Sequence, residues 1–242
     1  MQEWISHMSN AIEQSFIIDD RWVLYLKGLT VTLRVALLAL VLGIAIGVII
    51  AVIRTAHDSQ SRNAHGMGHV LLNIGDKICR IYLTVIRGTP MMVQLLIMYF
   101  VIFASSRHPI MVATLAFGIN SGAYVSEIVR SGIQSVDSGQ MEAGRSLGLN
   151  YRQTMTKIII PQAIRNILPA LGNEMITLLK DTSLVTVIGV KDITKVALNI
   201  QGLTYQAFVP LVSVALVYLF LVLLLSKLLE KLERRMRASD RR

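Results

Sequence analysis

Residues 29–53 read LTVTLRVALLALVLGIAIGVIIAVI, with Arg34 as the one charge in 25 positions. As a helix rising 1.5 Å per residue the stretch covers about 37 Å, more than the roughly 30 Å of hydrocarbon in a bilayer. It therefore spans a membrane. A cleaved leader does not fit it, because the run is long, lies behind a polar start of 28 residues and holds Arg34 where a leader is apolar. The segment is expected to stay in the mature protein. Ala39, Gly43, Gly47 and Ala51 recur every fourth residue, a stripe that lets another helix approach closely. It suits a packing seam within the chain, with a contact between chains as the alternative, and Arg34 is expected to snorkel or to pair internally.

Working outward, the same criterion gives four spans, at about 29–53, 109–130, 166–190 and 207–227, and a fifth at 81–105 if the apolar run from Pro90 to Ser105 is extended back over Ile81–Ile86. With 53% hydrophobic residues and a mean hydropathy of +0.57, the chain is too apolar for a water-soluble surface. The expected fold class is an all-α membrane protein. Its membrane domain covers 22–228, an external amphipathic lead-in precedes it at 1–21, and a basic tail follows at 229–242.

Five spans place the termini on opposite sides, and the distribution of Lys and Arg decides which. Sixteen of the 24 fall in 54–80, 130–165 and the tail, against Arg21, Lys27, Arg107, Lys191 and Lys195 on the other side. The N-terminus is expected outside and the C-terminus in the cytoplasm. The net charge of +9 is thus a topology signal, and no nucleic-acid partner is expected. A single cysteine, Cys79, excludes an internal disulfide. His57, His65 and His69 stand in a glycine-containing cytoplasmic loop whose spacing fixes no metal geometry.

At Arg87-Gly88-Thr89-Pro90 the second span is expected to break, since Gly88 permits an irregular turn, Thr89 can cap a helix and Pro90 suits its first turn. Such breaks persist at membrane depth where they face protein or a water-filled cavity. An ordinary helix start at the cytoplasmic surface is the other reading.

The cytoplasmic loop at 132–163 reads as two short amphipathic helices, Met141–Leu149 and Tyr151–Ile160, punctuated by Gly148 and Asn150. Within it, Glu142-Ala143-Gly144, then Gly148, then Ile158 and Ile160-Pro161 resemble the EAA loop of ABC importer permeases. Gly144 stands for an alanine of that pattern and Ile160 for a leucine. Three further stretches, RGTPMMVQLLIMYF at 87–100, SGAYVSEIVRSGIQSV at 121–136 and KDTSLVTVIGV at 180–190, narrow the resemblance to the histidine, glutamine and arginine type of polar amino acid permease.

The resemblance implies a type I ABC importer architecture in the cytoplasmic membrane of a prokaryote. Glu142, Ala143, Gly144, Leu147 and Gly148 would couple the chain to a separate ATPase dimer, which binds the ATP and magnesium. A second permease chain, identical or paired, and an extracytoplasmic binding protein complete the implied assembly. The residues agree that the engine lies elsewhere, since no G-x-x-x-x-G-K-[ST] loop occurs in the chain. No cofactor or metal is expected on this subunit, and no catalytic residue.

Charges inside spans are costly and should face protein, a cavity or a partner. Glu174 and Asp181, seven residues apart, share a helix face about 10 Å apart along the axis. With Thr177 between them, and Lys180, Thr182 and Ser183 around Asp181, they form a candidate solute stripe suited to an amino acid ammonium or a cationic side chain, with Lys180 or a helix terminus for the carboxylate. The resemblance places the solute pocket of arginine-type permeases on the same stripe. Asn120, Tyr124 and Glu127 make a second polar face on the third span. Tyr124 is expected to close over a solute, Gln94 to reach the pathway, and Glu127 to pair with Arg130 three residues on.

The leading expectation is the permease subunit of an ATP-driven importer of polar amino acids. The alternatives are an ATP-independent secondary transporter or channel, which would move solute alone, and a membrane anchor that transports nothing. The polar stripes speak against the anchor, and the sequence offers no clear inverted repeat for the secondary transporter.

Overall fold

The computed structural model describes residues 1–59 and 66–239, and every element in them is helical. His65 of the histidine loop lies outside the described residues. Ten helices are named here: α1 Gln2–Ile12, α2 Arg21–Asp58, α3 Met67–Gly88, α4 Met91–Ile97, α5 Pro109–Gln134, α6 Ser138–Ser146, α7 Tyr151–Thr154, α8 Ile160–Asp181, α9 Ile193–Thr204 and α10 Phe208–Ser239. The lead-in folds back on α2 through Asp19 (φ 55°) and Asp20 (φ 50°), and Phe16 stacks on Tyr25 with ring centroids 5.1 Å apart.

The central contact is between α2 and α5, which run parallel. Gly43 faces Ser121 and Gly47 faces Val125 and the backbone of Ser126, so closely that a Cβ at Gly47 would stand 2.6 Å from Val125. Ala39 and Ala51 of the same stripe are fully buried. The four-residue rhythm is a seam inside the chain. Three apolar clusters extend it. Val35, Leu95, Phe117, Leu178 and Val185 join α2, α4, α5 and the end of α8; Tyr25, Ile193, Ile200 and Val214 join α2, α9 and α10; Ala51, Val129, Ala163 and Ile167 close the end nearest α6.

By length and composition, three helices can cross a membrane, those ending at Asp58, Gln134 and Met236, and a fourth arises if α3 and α4 count as one bent span. The chain does break there, and its two axes differ by 107°. The expected span at 81–105 is therefore a bent pair. The expected span at 166–190 is α8 followed by a tighter turn, Thr182–Ile188, that ends at Gly189 with φ +78°. Its polar residues keep it below the apolarity of the other three. It packs among α2, α5 and α10 instead.

The loop at 132–163 also differs from expectation. Its first helix is α6, but Tyr151–Ile160 is no separate helix, because α7 continues through Met155–Ile159 into α8. Pro161 explains the geometry. It has no amide hydrogen and its ring crowds the preceding turn, and just before it the helix widens by one residue, with the Ile160 amide donating to the Met155 carbonyl. A capping box between Asn150 and Gln153 starts this long helix, with bonds of 2.9 and 3.0 Å.

Candidate functional site

α8 carries Glu174, Thr177 and Asp181 on one face and turns them toward α5 and the break before α4. Together with Thr89, Met91, Asn120, Tyr124 and Leu178 they enclose a cavity of 310 Å³. One oxygen of Glu174 accepts a hydrogen bond of 2.7 Å from the Ser121 hydroxyl. The Asp181 carboxylate accepts none among the described residues. Most of the acceptor capacity of two carboxylates therefore remains for whatever enters, an arrangement that favours a cationic group.

The cavity continues along the α5–α8 groove. Tyr124 and Glu174 also line a second space of 410 Å³ that leads past Ile128 to Ser135 and Asn166, whose side chains are joined by a bond of 2.8 Å beside the α6 hairpin. A third space of 590 Å³ shares Tyr124 and is lined by Arg54, Arg80, Arg87 and Glu127. The Arg87 guanidinium sits 5.6 Å from the Tyr124 ring centroid, in cation–π range.

Of the predicted stripe, the structure brings Glu174, Asp181, Thr177 and Tyr124 together around one cavity. Lys180 is exposed and lies off the lining, on a different face of the helix. Thr182 is buried and donates to the Leu179 carbonyl at 2.6 Å, and Ser183 donates to the Lys180 carbonyl at 2.9 Å, so both hydroxyls serve the turn that ends α8. Gln94 is likewise occupied. Its amide donates to the carbonyl of Ile86 at 2.7 Å and to the Thr89 hydroxyl at 2.8 Å, and it accepts from Asn120 at 3.0 Å. Pro90 cannot donate to Ile86, and Gln94 takes its place.

Three other expectations need correction. Glu127 pairs with Arg54 of α2 at 2.5 Å, not with Arg130, which instead reaches Asp58 at 3.0 Å. The end of α2 lies against α5 at this level and offers an opposite charge to each. Of the two expectations for Arg34, internal pairing is the one that fails, since it is exposed and has no ion-pair partner among the described residues. Gly144 does not face outward with the rest of the loop. It is buried against Thr154 and Ile158, where a Cβ would stand 2.6 Å from the Thr154 methyl, whereas Glu142, Ala143, Leu147 and Gly148 lie on the open side.

Reasoning from sequence passed over Thr89, Met91 and Ser121. Thr89 and Met91 enter through the 107° bend, and Ser121 is brought to Glu174 by the helix crossing, so only its place beside Asn120 on a polar face hinted at it.

The family model described as binding-protein-dependent transport system inner membrane component matches residues 64–238. The chain belongs to this family. Among curated proteins, the arginine transport system permease protein ArtQ of Bacillus subtilis is 40% identical over 166 residues, 67% of this chain and 76% of that protein. The glutamine transport system permease protein GlnP of Escherichia coli K12 is 40% identical over 168 residues, 68% of this chain and 77% of that one. A crystal structure of an amino acid ABC transporter with histidines superposes with a TM-score of 0.78 at 42% identity, covering 88% of this chain and 94% of its counterpart. The methionine transporter MetNI in an inward-facing form, at 16% identity and a TM-score of 0.74, shares the fold. The family thus fits a membrane bundle with a polar cavity and an exposed hairpin.

Proposed function

We propose that this chain is the membrane subunit of an ATP-driven importer of polar amino acids and binds solute between α5 and α8. The observation that carries this reading is the cavity in which Glu174 and Asp181 present acceptors that the chain leaves mostly unused. Two carboxylates at membrane depth suit an ammonium or guanidinium group. Likeness to permeases named for arginine and glutamine points the same way. The cation for the solute carboxylate would be Arg87, which lines the neighbouring space and lies over the Tyr124 ring that both spaces share, whereas Lys180 lines neither.

ATP hydrolysis resides on separate subunits that dock on α6, through Glu142, Ala143, Leu147 and Gly148. A second permease chain and an extracytoplasmic binding protein complete the importer, whose N-terminus lies outside. Alternating access then moves solute from the acid-lined cavity along the groove past Tyr124.

The test is uptake by the importer complex in liposomes, with a panel of arginine, lysine, histidine and glutamine. Glu174→Gln and Asp181→Asn should each lower uptake of the preferred solute by about 10- to 100-fold, the loss of one charge-assisted bond. Recovery of the ATPase with the permease should be unchanged. Unaltered uptake across the panel in both variants would place the pocket elsewhere, and uptake by the chain alone without ATP would favour an ion-coupled transporter.

A further inference from the structure

At the end of the bundle remote from α6 lies a crevice of 720 Å³ between α2 and the start of α5, and no feature of the transport pathway uses it. Arg34, Arg107 and His108 line one part of it, and Leu38, Met111 and Leu115 another. Because α2 and α5 run parallel, the positions sort by depth. Leu38 lies about one turn beyond Arg34 into the apolar span, and Leu115 about one turn beyond Met111. The crevice is thus basic toward the surface and apolar toward the membrane interior.

No acid lines it, and neither Arg34 nor Arg107 has an ion-pair partner among the described residues. A charge such as Arg34, five residues inside an apolar span, is retained only when something compensates it. The backbone adds to the demand. No side chain caps α5, and the amide hydrogens of Ile110 and Met111 lack intrahelical acceptors because they lie in its first turn. Two guanidinium groups, free amide donors and the positive end of a 26-residue helix converge on one opening.

We infer that this crevice binds the phosphate headgroup of an anionic phospholipid, with an acyl chain lying along Leu38, Met111 and Leu115. Charge complementarity selects a phosphate, which guanidinium groups bind in bidentate fashion. The apolar wall selects a lipid over a soluble phosphate, because an acyl chain can lie along it at hydrocarbon depth and hold its own phosphate beside the guanidinium groups at high effective concentration. Lipid bound here would complete the partnering of Arg34 and hold the α2–α5 pair at the surface opposite the coupling hairpin.

The test is lipid retention by the purified importer complex in native mass spectrometry, after equilibration with equal amounts of phosphatidylglycerol and phosphatidylcholine. Phosphatidylglycerol should be retained in clear excess. Arg34→Gln and Arg107→Gln should each reduce that excess about five-fold, the weight of one arginine at an anionic surface. Arg107 is exposed and lies outside the helices, so its variant should retain the fold and carries the test if Arg34→Gln is unstable. Millimolar glycerol phosphate should not displace the lipid. Equal retention of the two lipids, an excess unaffected by Arg107→Gln, or displacement by glycerol phosphate would each overturn the inference. All of these readouts are independent of uptake, so a failure here leaves the solute pocket untouched.

Discussion

Pro90 withholds one amide hydrogen and Gln94 returns it. The Ile86 carbonyl would be an orphan at the bend, and the Gln94 side chain reaches eight residues back to satisfy it at 2.7 Å. This makes Gln94 a brace of the cavity wall, held in turn by Asn120. Gln94→Leu keeps the volume but leaves a carbonyl unpaired, and should lower stability by about 1–3 kcal/mol. Thermal denaturation of the detergent-purified complex checks this, and an unchanged midpoint would return Gln94 to the list of solute contacts. The role could not be read in advance. The sequence shows a proline and a glutamine four apart, and only the bend brings the amide to a carbonyl on its far side. Gly148 was legible as punctuation between two helices, although the first was expected at Met141–Leu149 and instead runs from Ser138 to Ser146. At φ +83° it closes α6, its own amide donating to Arg145 and that of Leu149 to Gly144, the Schellman arrangement.

Among the helices, the small-residue rhythm of α2 was legible because its period is local, and its partner was not, because the facing residues of α5 are 78 positions away, as from Gly43 to Ser121. The structure supplies the partner, and the seam sets a limit on size. Gly47→Val should force α2 and α5 apart at Val125 and the Ser126 backbone, at a cost of about 1–3 kcal/mol in stability. Since Glu174 is held by Ser121, on the same face of α5 and beside Gly43, the displacement should also weaken solute binding. Denaturation midpoints and solute affinity measured on one preparation check both effects. A variant as stable as the parent would mean that the seam is looser than its distances indicate.

Charges at the α6 end show the same limit of local reading. Glu127 and Arg130 look paired in sequence, three apart on one helix, yet each finds a partner on α2. Asp76 of α3 joins this cluster. It is 3% exposed, accepts from Arg80 at 2.6 Å and lies 3.6 Å from Arg54 and 3.8 Å from His57. His57 is engaged there and with Asn73 at 2.9 Å. Three helices are thus tied by ion pairs at the end where α6 projects. The spacing of acids and bases on one helix predicts only what no neighbouring helix intercepts.

Across the whole molecule, the bundle end that carries these ties also presents α6 with one side buried and one side open. Gly144 presses against Thr154 and lets the short helix lie close to the helix that becomes α8, whose far end holds Glu174 and Asp181. On the open side Leu147 is 82% exposed, a large apolar residue at the tip of a helix that otherwise shows Glu142, Arg145 and Ser146. Such a residue in a polar surround is the pattern of an anchor for a partner's groove. Leu147→Glu should therefore weaken retention of the ATPase by about 30-fold, the equivalent of roughly 2 kcal/mol at an interface anchor. The fold should be unaffected, since the side chain contributes little to the core. Pull-down of ATPase against permease concentration measures this, with a denaturation midpoint as the control. Retention unchanged at an unchanged midpoint would remove α6 from the docking surface, and force from the ATPase would then have to enter the bundle through another element.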